Sequence, residues 1–171
     1  MRCSLVLAAL VGCGHPYGDL ATPQDWVPLD AAEDPFPDRP DTVDCPPAAR
    51  VVEVLEDGQP ALDVDTGTCR YLGVGQPLAL DVRAGDLVEL HLFHGALTAE
   101  EPAEAHCALR IGDWSVFDAI EPIPTVAVDH VETLEAPTDL PAGTPVVLHL
   151  HNHGANSWTF VSLRSLDPDA P

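Results

Sequence analysis

From Val51 to the carboxyl end, apolar residues come in short alternating runs broken by Gly, Pro and Asp. That period of two is the mark of half-buried strands. It predicts strands over 51–55, 68–74, 77–83, 87–94, 104–111, 114–119, 126–135, 145–151 and 157–165. No ten-residue stretch places apolar positions at helical spacing. Short, regularly spaced strands with turn signals predict an all-β fold, a two-sheet antiparallel β-sandwich of jelly-roll type. Upstream the pattern stops. Residues 14–50 hold eight prolines, eight acidic residues and two arginines. This composition predicts a disordered tether over 13–44, a sandwich domain over 45–167 and a tail over 168–171. Trp26 and Phe36 are the tether residues able to dock on the domain.

One stretch repeats. Asp81-Val82-Arg83-Ala84-Gly85-Asp86-Leu87-Val88-Glu89-Leu90-His91-Leu92 aligns with Asp139-Leu140-Pro141-Ala142-Gly143-Thr144-Pro145-Val146-Val147-Leu148-His149-Leu150, identical at seven of twelve positions. Each copy reads as a glycine turn feeding an alternating strand. Two readings stay open: recurrent turn chemistry, or equivalent elements on two halves of a pseudo-symmetric sandwich. The closing stretch, from Pro141-Ala142-Gly143 through Asn156-Ser157-Trp158 to Leu166, loosely resembles the last strands of galactose-binding-like jelly rolls. Such a likeness transfers no function by itself.

The first residues change the setting. Met1-Arg2 is followed by the apolar run Leu5–Val11 and then Gly12-Cys13. A charge ahead of so short an apolar run is the order of an export signal, and the run cannot span a bilayer. Leu10-Val11-Gly12-Cys13 resembles the lipobox of bacterial lipoproteins. That resemblance implies removal of residues 1–12, diacylglycerol on the Cys13 thiol, and membrane anchoring through it. Gly14 in place of an Asp implies the outer membrane or the cell surface as destination.

Composition narrows the partners. The chain has 28 acidic residues against seven arginines, with no lysine, for a formal charge of −21. Such a surface repels phosphate backbones and excludes nucleic acid. Setting aside Cys3 in the signal and Cys13, three cysteines remain in a compartment that permits disulfides. Cys45 and Cys69 are the expected pair. Cys107 takes the apolar phase of its strand and reads as a buried free thiol.

Candidate chemistry gathers at histidine. Strand parity puts His91, His106, His149 and His151 on the non-core phase, with His94 and His153 just past strand ends. Two imidazoles in an H-x-H pair share one strand face, spaced to converge on one metal with help from a neighbouring strand. Imidazole-rich sets suit copper or zinc. The metal candidates are therefore His91, His106, His149, His151 and His153; the plain alternative is hydrogen-bonded surface histidines. Gly143-x5-His149-x-His151 matches the start of a cupin metal motif, but Ala155 and Asn156 stand where its glutamate would be. Asp63-Val64-Asp65-Thr66-Gly67 lacks the later ligands of an EF-hand and reads as an Asx turn. Serine-hydrolase, zincin and phosphate-loop motifs are missing, and Glu100-Glu101 carries no information in so acidic a chain. Tyr71, Trp114, Trp158 and Phe160 are expected mostly in the core. The leading expectation is a non-catalytic, lipid-anchored binding module with a copper or zinc site. The alternatives are a glycan- or protein-binding envelope module without metal, and a metal-dependent hydrolase.

Overall fold

The computed structural model describes residues 15–168. Cys13, its lipobox neighbours, the signal segment and residues 169–171 lie outside the described residues. The strands are β1 (Gly18–Ala21), β2 (Val27–Pro28), β3 (Arg50–Val54), β4 (Pro60–Asp65), β5 (Tyr71–Pro77), β6 (Leu87–His94), β7 (Ala103–Ile111), β8 (Trp114–Ile123), β9 (Val128–Glu135), β10 (Pro145–Asn152) and β11 (Ser157–Leu166). One sheet has the order β3-β4-β11-β6-β9, with β1 also paired to β11; the other has the order β2-β5-β10-β7-β8. Every pairing is antiparallel. The fold is the expected jelly-roll-like sandwich.

Parity builds the layers. Val88, Leu90 and Leu92 of β6 face Val146, Leu148 and Leu150 of β10 in one buried cluster with Leu109, Ile111, Trp158 and Phe160. The opposite phase of each sheet therefore points away from the core, on opposite sides of the molecule.

Two strand expectations shift. Residues 77–83 give a single bridge, Val82 to Leu140, because the chain leaves the sheet after Pro77 and buries Leu78 and Val82 from a loop. Pro60–Asp65 is a strand despite its two aspartates, and its last residue makes the Asx turn. Asp65 Oδ1 accepts from the Gly67 N–H at 2.9 Å.

The echoed turns clasp each other. Asp81 Oδ1 accepts from Ala142 N–H at 2.7 Å, and Asp139 Oδ1 accepts from Ala84 N–H at 2.9 Å. Gly85 and Gly143 sit at φ 91° and 90°, a backbone region that favours glycine. These reciprocal caps join the strand leading from one sheet to that leading from the other, which supports the pseudo-symmetric reading.

The amino-terminal segment corrects the expected tether. From Gly18 it belongs to the sandwich. Leu20 and Trp26 sit in the main core, and Trp26 meets Phe160 edge-on at 5.2 Å. The Gln76 side chain bonds both the N–H and the C=O of Thr22, at 3.0 and 2.9 Å. Residues 29–40 then run as a strap across the outer face of β5, β10 and β7. Leu29 N–H donates to Gly73 C=O at 2.9 Å, and Tyr71 O–H donates to Asp34 Oδ2 at 2.6 Å. Phe36 packs against Ala108 and Val147. The segment shows no periodicity because single anchors hold it instead of an amphipathic element. Its prolines also leave fewer N–H groups needing partners. The domain therefore begins well before residue 45.

Cys45 and Cys69 form the expected disulfide, with Cα atoms 4.1 Å apart. Cys107 is free and buried, and burial pushes its thiol pKa up. Among the described residues no helix is long and apolar enough to cross a membrane.

Candidate metal centre

His106 on β7 and His149 on β10 project from the same outward face. Register pairs His149 with Ala108 and His151 with His106, so the three histidines fall on neighbouring positions of adjacent strands. The strap lays Asp38 over them. Asp38 Oδ2 lies 3.2 Å from His106 Nδ1, 3.1 Å from His149 Nε2 and 3.1 Å from His151 Nδ1. His106 Nδ1 and His149 Nε2 are 3.1 Å apart. Asp38, His106 and His149 thus present three ligand atoms in a near-equilateral triangle. An ion with bonds of about 2.0–2.1 Å would sit about 1 Å out of its plane.

Each side chain is held from behind. His106 Nε2 lies 3.0 Å from Asp118 Oδ1. Without an ion, Nδ1 can donate to Asp38; with one, Asp118 would hold the proton on Nε2 and free the Nδ1 lone pair for the cation, as in carboxylate–histidine–metal arrangements. His149 is fully buried. Its ring stacks on Phe36 at 4.1 Å and 16°, with Tyr71 edge-on at 5.2 Å. Tyr71 also meets His151 edge-on at 5.3 Å and carries the Arg39 guanidinium 5.6 Å from its ring centre. Arg39 in turn binds Asp34 at 2.7 Å. The strap is thus braced on both sides of Asp38.

The charge states follow. Burial alone would raise Asp38, but the His106 hydrogen bond, the nearby His149 and the His151 hydrogen bond outweigh it and hold the carboxyl at about 2. Burial lowers His149 to about 4, with Asp38 pulling the other way. At neutral pH an ionised carboxylate therefore faces a neutral imidazole. A pocket of about 350 Å³ opens beside it, with Asp38, Glu104, His106, Ile120, His151 and His153 among its walls.

The predicted set divides. His106 and His149 come together with Asp38, while His151 meets the same carboxylate but stands outside the triangle; His149 is buried because the strap covers its face. His153 flanks His151, with ring centres 4.5 Å apart, and lines the pocket outside the triangle. His91 does not belong. Its sheet is the other one, so its outward phase points to the opposite side of the sandwich, where it pairs with Asp129 at 2.7 Å. The echo placed His91 and His149 at equivalent positions of different sheets, and equivalence there means separation. Sequence reasoning missed Asp38, one of eight acidic residues in a segment that lacks periodicity. Tyr71, Trp158 and Phe160 are buried as expected.

No protein-family model matches the chain, and no curated protein matches it. Similar solved structures include the CBM22-1 xylan-binding domain from Paenibacillus barcinonensis Xyn10C, at 14% identity over 92% of this chain and 97% of that one, TM-score 0.42. The N-terminal cellulose-binding domain from Cellulomonas fimi β-1,4-glucanase C is 17% identical over 72% of this chain and 93% of that one, TM-score 0.38. TmCBM61, solved with β-1,4-galactotriose, is 13% identical over 72% of this chain and 85% of that one, TM-score 0.41.

Proposed function

We propose that this chain is a non-catalytic binding module that captures a transition-metal ion, copper or zinc, between its strap and its sheet. One observation carries the reading: the triangle of Asp38 Oδ2, His106 Nδ1 and His149 Nε2, with Asp118 behind His106. Two imidazoles and a carboxylate suit zinc or copper better than calcium, which prefers six to eight oxygens. His151 Nδ1, 3.1 Å from Asp38 Oδ2, would hold that carboxylate from the far side. The lipobox-like start and the Cys45–Cys69 disulfide support an exported, Cys13-anchored protein of the outer membrane or cell surface. Titration calorimetry of the full chain with zinc and with copper tests the metal reading. Asp38→Ala and His149→Ala should each abolish the ion at this centre. Asp118→Asn should weaken it about 10- to 100-fold by freeing the His106 ring. Unchanged titrations in Asp38→Ala and His149→Ala would refute the assignment.

A second reading, glycan binding, is favoured by a groove of about 710 Å³ whose walls include Thr42, Asp44, Thr68, Arg70, His151 and His153. These groups can hydrogen-bond sugar hydroxyls without any metal. Retarded migration of the metal-free chain in gels carrying soluble envelope polysaccharide would support it, and unretarded migration would count against it.

A further inference from the structure

A second group of metal-ligating side chains lies between the sheets, sharing no residue with the Asp38 centre. His94 ends β6 on the same phase as Val88, Leu90 and Leu92, so its ring enters the interior at the open end of the core. His130 of the neighbouring β9 and Glu121 of β8 approach it there, the latter from the opposite sheet. One ligand atom from each of the three lies within 4.8 Å of the others, and His130 Nε2 is 3.9 Å from Glu121 Oε1.

The hydrogen bonding at this spot is incomplete. His94 is 1% exposed, and its Nδ1 lies 2.8 Å from the Gly95 carbonyl, to which it donates. That bond fixes the tautomer and leaves Nε2 with a bare lone pair. His94 Nε2 and His130 Nε2 are both buried with no hydrogen-bond partner. Buried polar atoms ordinarily find partners, so two orphaned nitrogens beside one carboxylate call for an explanation. The walls are aromatic: Trp158 lies 4.4 Å from the His94 ring and stacks parallel to His130 at 6.0 Å, while Phe117 meets His130 edge-on at 5.1 Å. Apolar walls keep competing water away from the ligand atoms. Glu121 and His130 retain 22% and 12% side-chain exposure, which leaves a way in from the β8–β9 edge.

We propose that His94, His130 and Glu121 form an interior zinc site that clamps the two sheets together at this edge. A dication there occupies both orphaned lone pairs and neutralises the carboxylate. Two strands of one sheet and one strand of the other would then be tied at a single point.

The site is tested on the full chain with His106→Ala and His149→Ala, which removes the first centre, using zinc alone as the probe. After gel filtration this variant should retain about one equivalent of zinc by elemental analysis. Adding Glu121→Gln, which conserves volume, should lower zinc affinity at least about tenfold while the near-ultraviolet circular dichroism stays native. A folded double variant without bound zinc would overturn the proposal, as would unchanged affinity after Glu121→Gln. If the double variant does not fold, ring-nitrogen NMR of the wild-type chain decides. Zinc-dependent shifts at His94 and His130 support the site; shifts confined to His106 and His149 refute it and leave the first centre standing.

Discussion

Phe36→Ala should unlatch the strap and leave the sandwich standing. Phe36 is 8% exposed, stacks on His149, and packs with Ala108, Val147 and the partly buried Leu29. Removing a buried phenylalanine costs about 3–5 kcal/mol when the site cannot relax. This site can relax, since the strap touches the sheet from outside and is free to open locally. What remains to hold it is mainly Tyr71 on Asp34, Leu29 on Gly73, and Asp38 on His106, His149 and His151. A loss of about 3 kcal/mol corresponds to roughly a hundredfold increase in opening, which hydrogen exchange reads directly. Peptides over 27–42 should lose protection by about that factor, while β7 and β10 peptides keep theirs. The same change uncovers His149. In the wild type its folded pKa of about 4 lies below the unfolded value of 6.5. The unfolded chain therefore binds the extra proton first, and this contribution to stability is full above pH 6.5 and lost as pH falls toward 4. In Phe36→Ala the His149 pKa should return toward 6.5 and that pH dependence should flatten. If the strap keeps full protection while global stability drops, Phe36 is a core residue of one cooperative unit and the latch is wrong. If neither moves, the docked strap itself is wrong.

Two further expectations concern Gly73 and Cys13. A Cβ at Gly73 would lie 2.5 Å from Asp34 Oδ2, so Gly73→Ala should lift the strap and weaken zinc binding at Asp38 by calorimetry, with an unchanged far-ultraviolet spectrum; unaltered affinity would show that the close approach is unimportant. Cys13→Ala should abolish incorporation of labelled palmitate and lipoprotein-type processing, and recovery of the wild type from the cytosol with residues 1–12 intact would defeat the export reading.

Alternation is a local signal, and it resolved what is local. The phase of β6, β7 and β10 followed from period two, which correctly put Val88, Leu90, Leu92, Val146, Leu148 and Leu150 inward and His106, His149 and His151 on the opposite phase. Phase does not say which sheet a strand joins. His91 and His149 have the same phase in echoed strands, yet those strands lie in different sheets, so their outward faces diverge. His94, expected just past a strand end, instead closes β6 on its inward phase, and its partners arrive from β8 and β9. The strap was obscured for another reason. Its anchors are single residues spaced irregularly, and the period that would reveal a buried face never forms. A physical trace of it was present all the same, in the neighbouring strand. Tyr71-Leu72-Gly73-Val74-Gly75-Gln76 carries two glycines on one face of a strand, a pattern that weakens a strand unless something must approach closely. A Cβ at Gly73 meets Asp34, and one at Gly75 would lie 2.8 Å from Leu29 Cδ2. The two glycines are the bed on which residues 29–34 rest. That bed brings the chain to Asp38, where the acid-rich segment supplies the carboxylate that the histidine face lacks.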